Sequence, residues 1–203
     1  MRDRTIVTVA VAAVGLLLAA TAAHARDEGP LTAQEFVTKA THGSAAEVEL
    51  GRTAADQGYV GMVKDFGQRM VRDHSRLNAE LAALATREGC MVPTGPSDMQ
   101  MMEIGELASL GKSVFGLAYA RNQVKGHEQT IALFKRAANE LADPDLRLWA
   151  SRTIPTLEHH LSMARDLYRD VIWRRRANLG FGGRYDPDNI YAERTPAGPR
   201  SVY

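Results

Sequence analysis

Four long stretches of this chain have apolar residues at every third or fourth position, and one ionisable side chain interrupts each of these stripes. Such spacing places the apolar residues on one face of an α-helix. Each stretch therefore predicts a helix with one buried face. Ionisable side chains are seldom fully buried without a partner, so the pattern predicts a polar layer inside a helical core. The interrupting residues are Glu47, His74, His127 and His160.

The boundaries of these stretches define the predicted architecture. No stretch alternates between apolar and polar residues with period two, so the fold class is all-α. Short turns inside each half of the chain predict two antiparallel hairpins, joined by a longer connection. This is a ferritin-like four-helix bundle with a short crossover helix between the two hairpins. In chain order, the predicted helices run from a capping box at Thr32 to Gln57, from Val60 to Glu88, from a Ser97 cap to Leu110, from a Ser113 cap to Leu141, and from Asp143-Pro144 to Arg175.

The N-terminal segment has the features of an export signal. Arg2 and Arg4 precede an apolar run over 6–20, and the Ala23-His24-Ala25 motif fits a signal-peptidase site. The run is shorter than the roughly 20 residues that span a membrane. We therefore expect residues 1–25 to be a signal peptide, cleaved after Ala25, and the protein to be periplasmic or otherwise exported. Retention of the segment as an anchor is the alternative.

The remaining chain divides into a bundle domain over 26–176 and an irregular tail over 177–203, which is rich in glycine and proline. Removing Arg2, Arg4 and Asp3 from the 25 basic and 24 acidic residues leaves 23 of each. A balanced charge argues against nucleic acid as a partner. The run Trp173–Arg176 is compatible with association with the envelope or a membrane surface, although its charges also suit the end of a helix. The oligomeric state stays open.

The three histidines are predicted to share one level in the bundle. Each lies about 15 to 17 residues from its hairpin turn, and Glu47 lies about 6 Å off that level at 1.5 Å per residue. Gly43 lies nearer to the histidine level and would leave space there. This comparison assumes that the two turns lie at the same or at matching ends of the bundle.

Three imidazoles and a carboxylate are suitable ligands for one zinc, manganese, iron or copper ion. A mononuclear metal site at Glu47, His74, His127 and His160 is therefore one of the alternatives that the sequence leaves open. None of the histidines follows a glutamate by three residues, which argues against a carboxylate-bridged di-iron centre. The interpretation that the sequence favours is a hydrogen-bonded polar layer that fixes helix register in a non-enzymatic exported protein. A redox or peroxide-handling enzyme is a further alternative by analogy with the fold, but the sequence predicts no catalytic residue.

A second group of possible ligands contains sulfur. Cys90 and four methionines cluster around the crossover, and soft sulfur ligands suit Cu(I). Methionines also fill irregular gaps beneath a connecting helix, and both interpretations stay open. The methionines are Met91, Met99, Met101 and Met102.

The last predicted helix, from Asp143-Pro144 to Arg175, contains two adjacent histidines, His159 and His160. Neighbours on a helix point about 100° apart, so both cannot face the core. The apolar stripe places His160 inward and His159 at the flank. Pro155 removes one backbone hydrogen bond a turn earlier and predicts a local bend.

Four segments together resemble an exported bacterial family, the domain of unknown function 4142. They are EFVTKATHGSAAEVELGRTAADQG, FGQRMVRDHSRLNAELAALA, AYARNQVKGHEQTIALFKRAA and TIPTLEHHLSMARDL, within a match over about 34–167. The resemblance implies a ferritin-like bundle in the cell envelope and no established reaction. Recurring histidines of the family fall on His74, His127 and His160. His159 stands where the family usually has glutamate, and Gly126 where it usually has aspartate.

Overall fold

The computed structural model describes residues 29–178, which form five α-helices and contain no strand. The predicted all-α class is therefore confirmed. The predicted signal peptide and nearly all of the predicted tail lie outside the described residues. Within the described part, no helix combines the length and apolarity needed to cross a membrane. The helices are α1 (Ala33–Gln57), α2 (Gly61–Arg87), α3 (Asp98–Ala108), α4 (Lys112–Glu140) and α5 (Pro144–Asn178).

Local capping signals fix the start of most helices. The Thr32 side chain caps α1 in a reciprocal box with Glu35, and Ser97 caps α3 in the same way with Gln100. Asp143 Oδ1 accepts a 2.7 Å hydrogen bond from the backbone N–H of Leu146 at the start of α5. The predicted Ser113 cap is wrong: α4 begins at Lys112, with Gly111 in extended conformation before it. Glycine is tolerated at this position because its backbone is unrestricted.

The two hairpin turns lie at opposite ends of the bundle. Helices α1 and α2 meet at 58–60, beside the start of α4, whereas α4 and α5 meet at 141–143, beside the start of α1. The crossover over 88–111 therefore returns the chain along the length of the bundle. Val92 packs at one end of the bundle, and Ile104 of α3 is buried at the other.

Buried apolar residues form two separate clusters. The first apolar cluster lies around the turn between α4 and α5, and the second lies around the turn between α1 and α2. Aromatic rings contribute to both: Phe36 and Phe134 meet at 5.2 Å, and Phe115 stacks on Tyr119 at 5.6 Å. Core members of the first cluster include Phe36, Leu81, Phe134, Leu146 and Leu157, and those of the second include Leu50, Phe66, Met70, Phe115, Tyr119 and Leu167.

Helices α1 and α2 approach each other closely in the second half of α1. A β-carbon added at Gly51 would lie 2.6 Å from the Gly67 carbonyl oxygen, and one added at Gly67 would lie 2.6 Å from the Gly51 carbonyl oxygen. These two glycines therefore permit a backbone contact that any larger residue would push apart. The close packing fixes the position of α1, which carries Glu47, relative to α2, which carries His74.

Candidate metal centre

Three histidines meet between the two apolar clusters. The exposed fractions of His74, His127 and His160 are 2%, 1% and 0%. Their ring centroids lie 5.3 to 5.7 Å apart. One ring nitrogen from each lies within 4.8 Å of the other two. This arrangement, called the histidine layer below, joins side chains from α2, α4 and α5 and confirms that the three histidines share one level.

The reason for the shared level differs from the one assumed from sequence. Because the hairpin turns lie at opposite ends, equal distances from the turns do not by themselves give equal heights. His74 and His127 instead lie near the middle of α2 and α4, 13 residues after Gly61 and 15 after Lys112. A residue in the middle of a helix keeps its height when the direction of the helix is reversed.

Hydrogen bonds fix the tautomers of His74 and His127. The Nδ1 atom of His127 lies 2.9 Å from the Gln123 carbonyl oxygen, which can only accept, so this nitrogen carries the proton. In His74, Nδ1 lies 3.1 Å from the Ser44 hydroxyl, and that hydroxyl donates to the His74 carbonyl. The His74 Nδ1 is therefore also the donor. In both rings Nε2 is left with a free lone pair.

His160 is held by an acid from another helix. Its Nε2 donates to Asp73 Oδ2 at 2.9 Å, so Nδ1 carries the lone pair. Asp73 is the neighbour of His74 in the sequence, yet its carboxylate pairs with His160. Metal-bound histidines typically donate their second nitrogen to a carboxylate, carbonyl or hydroxyl in this way.

One nitrogen of each ring, called its inner nitrogen below, has no hydrogen-bond partner. His74 Nε2, His127 Nε2 and His160 Nδ1 are all buried and unpaired. Burial lowers the pKa of His160 to about 4 and that of His74 well below its usual range. Both rings are therefore neutral at physiological pH, which is the protonation state of a metal ligand. The residues present thus match the requirements of a bound transition-metal ion.

Glu47 lies beside the histidine layer but is not part of its closest group. The set of His, Cys, Asp and Glu ligand atoms within 4.8 Å of one another, among residues 29–178, consists of the three histidines alone. The Glu47 Oε2 atom is buried without a partner, and Oε1 would lie 3.3 Å from a β-carbon added at Gly126. Burial raises the pKa of Glu47. Glu47 as a fourth direct ligand stays a prediction.

Two further buried polar residues on α4 were missed from sequence. Gln123 and Tyr119 are both fully buried, and the amide atoms of Gln123 and the hydroxyl of Tyr119 have no partner. Burial, and then the nearby Glu47, raises the pKa of Tyr119 well above its usual value. Their spacing of four from each other and from His127 places them on the buried face of α4. This spacing could have identified Tyr119 and Gln123 as buried from the sequence.

The other sequence candidates lie at the surface. His159 is exposed, as predicted. Glu128, the neighbour of His127 in the sequence, pairs with Arg165 at 2.8 Å on the surface. The crossover methionines are solvent-exposed, so the expectation that they fill gaps beneath the connecting helix is wrong. Helix α5 continues through Pro155 without interruption. The exposed fractions of Met91, Met99, Met101 and Met102 are 77%, 67%, 50% and 65%.

Comparison with solved structures gives the same fold. The protein described as "CopM in the Cu(II)-bound form" matches 70% of this chain and 99% of its own chain, with a TM-score of 0.59 and 15% sequence identity. At this identity the likeness concerns the fold alone. Comparison with curated proteins finds no significant match. A family model described as "Domain of unknown function (DUF4142)" matches residues 18–167. The chain therefore belongs to this family.

Proposed function

We propose that the protein binds one transition-metal ion through His74, His127 and His160, and that copper is its ion. The observation that supports this is the convergence of three buried histidines, each with one ring nitrogen within 4.8 Å of the other two and each with one nitrogen that has no hydrogen-bond partner. Each of these nitrogens presents a lone pair, because the other nitrogen of its ring donates a hydrogen bond. We further propose that the protein binds the ion after export, because residues 1–25 have the pattern of a secretory signal.

The same geometry argues against a purely structural polar layer. In a hydrogen-bonded layer the polar groups satisfy one another. Here all three inner nitrogens are acceptors, so none can donate to another. One water molecule has two hydrogens and would satisfy two of them. Each remaining unpaired acceptor costs about 1–3 kcal/mol of desolvation free energy. A single cation satisfies all three lone pairs together.

Copper is favoured on chemical grounds. Neutral imidazole is a good ligand for zinc, copper, iron and nickel, and Cu(II) has the highest affinity in the divalent series. The similar solved structure is described as a Cu(II)-bound form, which supports testing copper first. Zinc, manganese and iron, predicted from the same residues, are the competing ions.

Elemental analysis of the untagged protein tests the proposal. We expect about one copper ion per chain after incubation with Cu(II), and loss of this ion in both His74→Ala and His160→Ala. The matched control is His159→Ala, which removes the exposed neighbour of His160 and should leave the metal content unchanged. Sub-stoichiometric metal in the unsubstituted protein, unaffected by added copper, zinc, manganese or iron, would contradict the proposal.

A further inference from the structure

A cavity of about 20 Å³ adjoins the histidine layer on the side of the first apolar cluster. This volume holds one or two water-sized molecules. Its walls are mainly apolar, and include Leu77, Leu81 and Phe134. Its polar lining residues are Ser44, Glu47, His74, Asn78, His127 and Thr130.

Four polar atoms around this cavity have no hydrogen-bond partner. His74 Nε2, His127 Nε2, Glu47 Oε2 and Asn78 Oδ1 are each buried without a hydrogen-bond partner. The two nitrogens and the amide oxygen are acceptors. A metal ion would satisfy the nitrogens, but Asn78 Oδ1 on α2 would still lack a donor. Glu47 Oε2 on α1 is also unpaired; burial raises the pKa of this carboxyl, and the Gln123 side chain lies near enough to oppose that rise. Buried polar groups without protein partners are typically satisfied by an ordered molecule.

We propose that this cavity holds one water-sized oxygen ligand of the metal ion, with an O–H group directed to Asn78 or Glu47. This inference rests on the proposed metal site. It gives Glu47 and Asn78 the role of positioning residues that act through the ligand. Structural metal sites are closed by protein ligands, whereas reactive sites keep one position for water or substrate. The cavity therefore leaves one coordination position of the proposed metal site open to a small ligand.

The apolar walls also define the class of ligand. Leu77, Leu81 and Phe134 offer no hydrogen bond to a larger polar molecule. The ligand accordingly consists of one oxygen atom with its hydrogens, and water is the source in solution. Direct coordination by Glu47 is the competing arrangement, and its carboxylate lies outside the 4.8 Å group.

Gly43 offers a way to fill the cavity without removing any polar group. It lines the cavity, and a β-carbon added there would meet no atom within 4 Å. Gly43→Leu should therefore place a side chain in the space of the ligand. Gly105→Leu is the matched control, because Gly105 is also helical and unobstructed but lies on the exposed surface of α3. If Gly43→Leu does not fold, Asn78→Leu tests the same site by replacing the acceptor.

Pulsed electron paramagnetic resonance of the full chain loaded with Cu(II) tests the inference in D₂O. The nitrogen couplings report the imidazoles, and a strong deuterium coupling reports a coordinated D₂O. We expect both signals in the unsubstituted protein and in Gly105→Leu. In Gly43→Leu, or in Asn78→Leu, we expect the imidazole couplings to persist and the deuterium signal to fall by half or more.

The two proposals fail in different ways in this experiment. Absence of imidazole couplings in the unsubstituted protein would contradict the metal site itself. Imidazole couplings without a coordinated deuterium signal would overturn only the ligand site, and would favour direct coordination by Glu47. A full deuterium signal that persists in both Gly43→Leu and Asn78→Leu would also overturn it, because the water would then lie outside this cavity.

Discussion

The apolar clusters and the histidine layer between them have opposite properties. Leu81, Phe36 and Phe134 of the first cluster are almost completely buried, and their side chains carry no polar atom. The histidine layer is equally buried, yet its three inner nitrogens lack a partner. Apolar burial stabilises the bundle at both ends of this layer, whereas the layer itself is destabilising without a ligand. The contrast supports the proposal that the layer binds an ion while the clusters maintain the fold.

Removing a side chain from an apolar cluster should have the largest effect on stability. Leu81 is 1% exposed within the first cluster. Leu81→Ala should lower the free energy of unfolding by about 2–5 kcal/mol, because it removes apolar contacts and leaves a cavity. Chemical denaturation of the metal-free protein measures this change. The matched control Leu148→Ala, at a residue 47% exposed, should change stability by about 0.5 kcal/mol or less. Equal effects of both substitutions would contradict the assignment of the cluster.

Acid should destabilise the metal-free protein through the histidine layer. The pKa of His160 is lowered to about 4 in the folded state, whereas an unfolded histidine titrates near 6.5. Below pH 6.5 the His160 side chain becomes protonated in the unfolded chain, whereas in the folded chain it stays neutral down to about pH 4. Stability should therefore fall between pH 6.5 and 4, with His160 contributing at most about 3 kcal/mol. The lowered pKa of His74 acts in the same direction.

Glu47 must be removed to measure this effect alone. Burial raises its pKa, so its contribution falls as pH rises and opposes that of the histidines. Denaturation from pH 7 to 4 is therefore best measured in Glu47→Gln. Adding His160→Leu to that variant should flatten the profile. An unchanged slope would show that His160 is not the group that takes up the proton on unfolding.

The substitution with the smallest expected effect on stability tests most directly whether the histidine layer differs from the apolar clusters. His127→Leu replaces a buried ring that has one unpaired nitrogen by an apolar side chain of similar size. We expect the metal-free protein to change by less than about 1 kcal/mol, since one unsatisfied acceptor disappears. The same substitution should abolish stoichiometric copper binding. A loss of several kcal/mol in the metal-free protein would instead show that the histidine layer is structural.

The sequence was sufficient for the elements and for the three histidines. Thr32 and Ser97 carry local capping signals, and apolar spacing alone identified His74, His127 and His160 as facing the core. These features depend on residues within one or two turns of each other, which is the range that helical periodicity reports.

Contacts between helices could not be predicted from spacing within one or two helical turns. The pairing of Asp73 with His160 joins residues 87 positions apart, and no periodicity within α2 or α5 reports it. The cavity beside Gly43 depends on three-dimensional packing of four helices. The opposite placement of the hairpin turns was also missed, because turn length determines that two helices are antiparallel but not how two hairpins are oriented relative to each other.

The crossover has a consequence for how the two halves of the bundle stay together. The segment over 88–111 is the covalent connection between one hairpin, which carries His74, and the other, which carries His127 and His160. An ion shared by these residues would be a second connection, independent of the backbone. The apolar clusters also join the two hairpins, so a protease cut in the loop before α3 should leave two fragments that associate more tightly with metal than without it. Chelation would then weaken this association, which makes the bundle a natural starting point for a metal-controlled split protein.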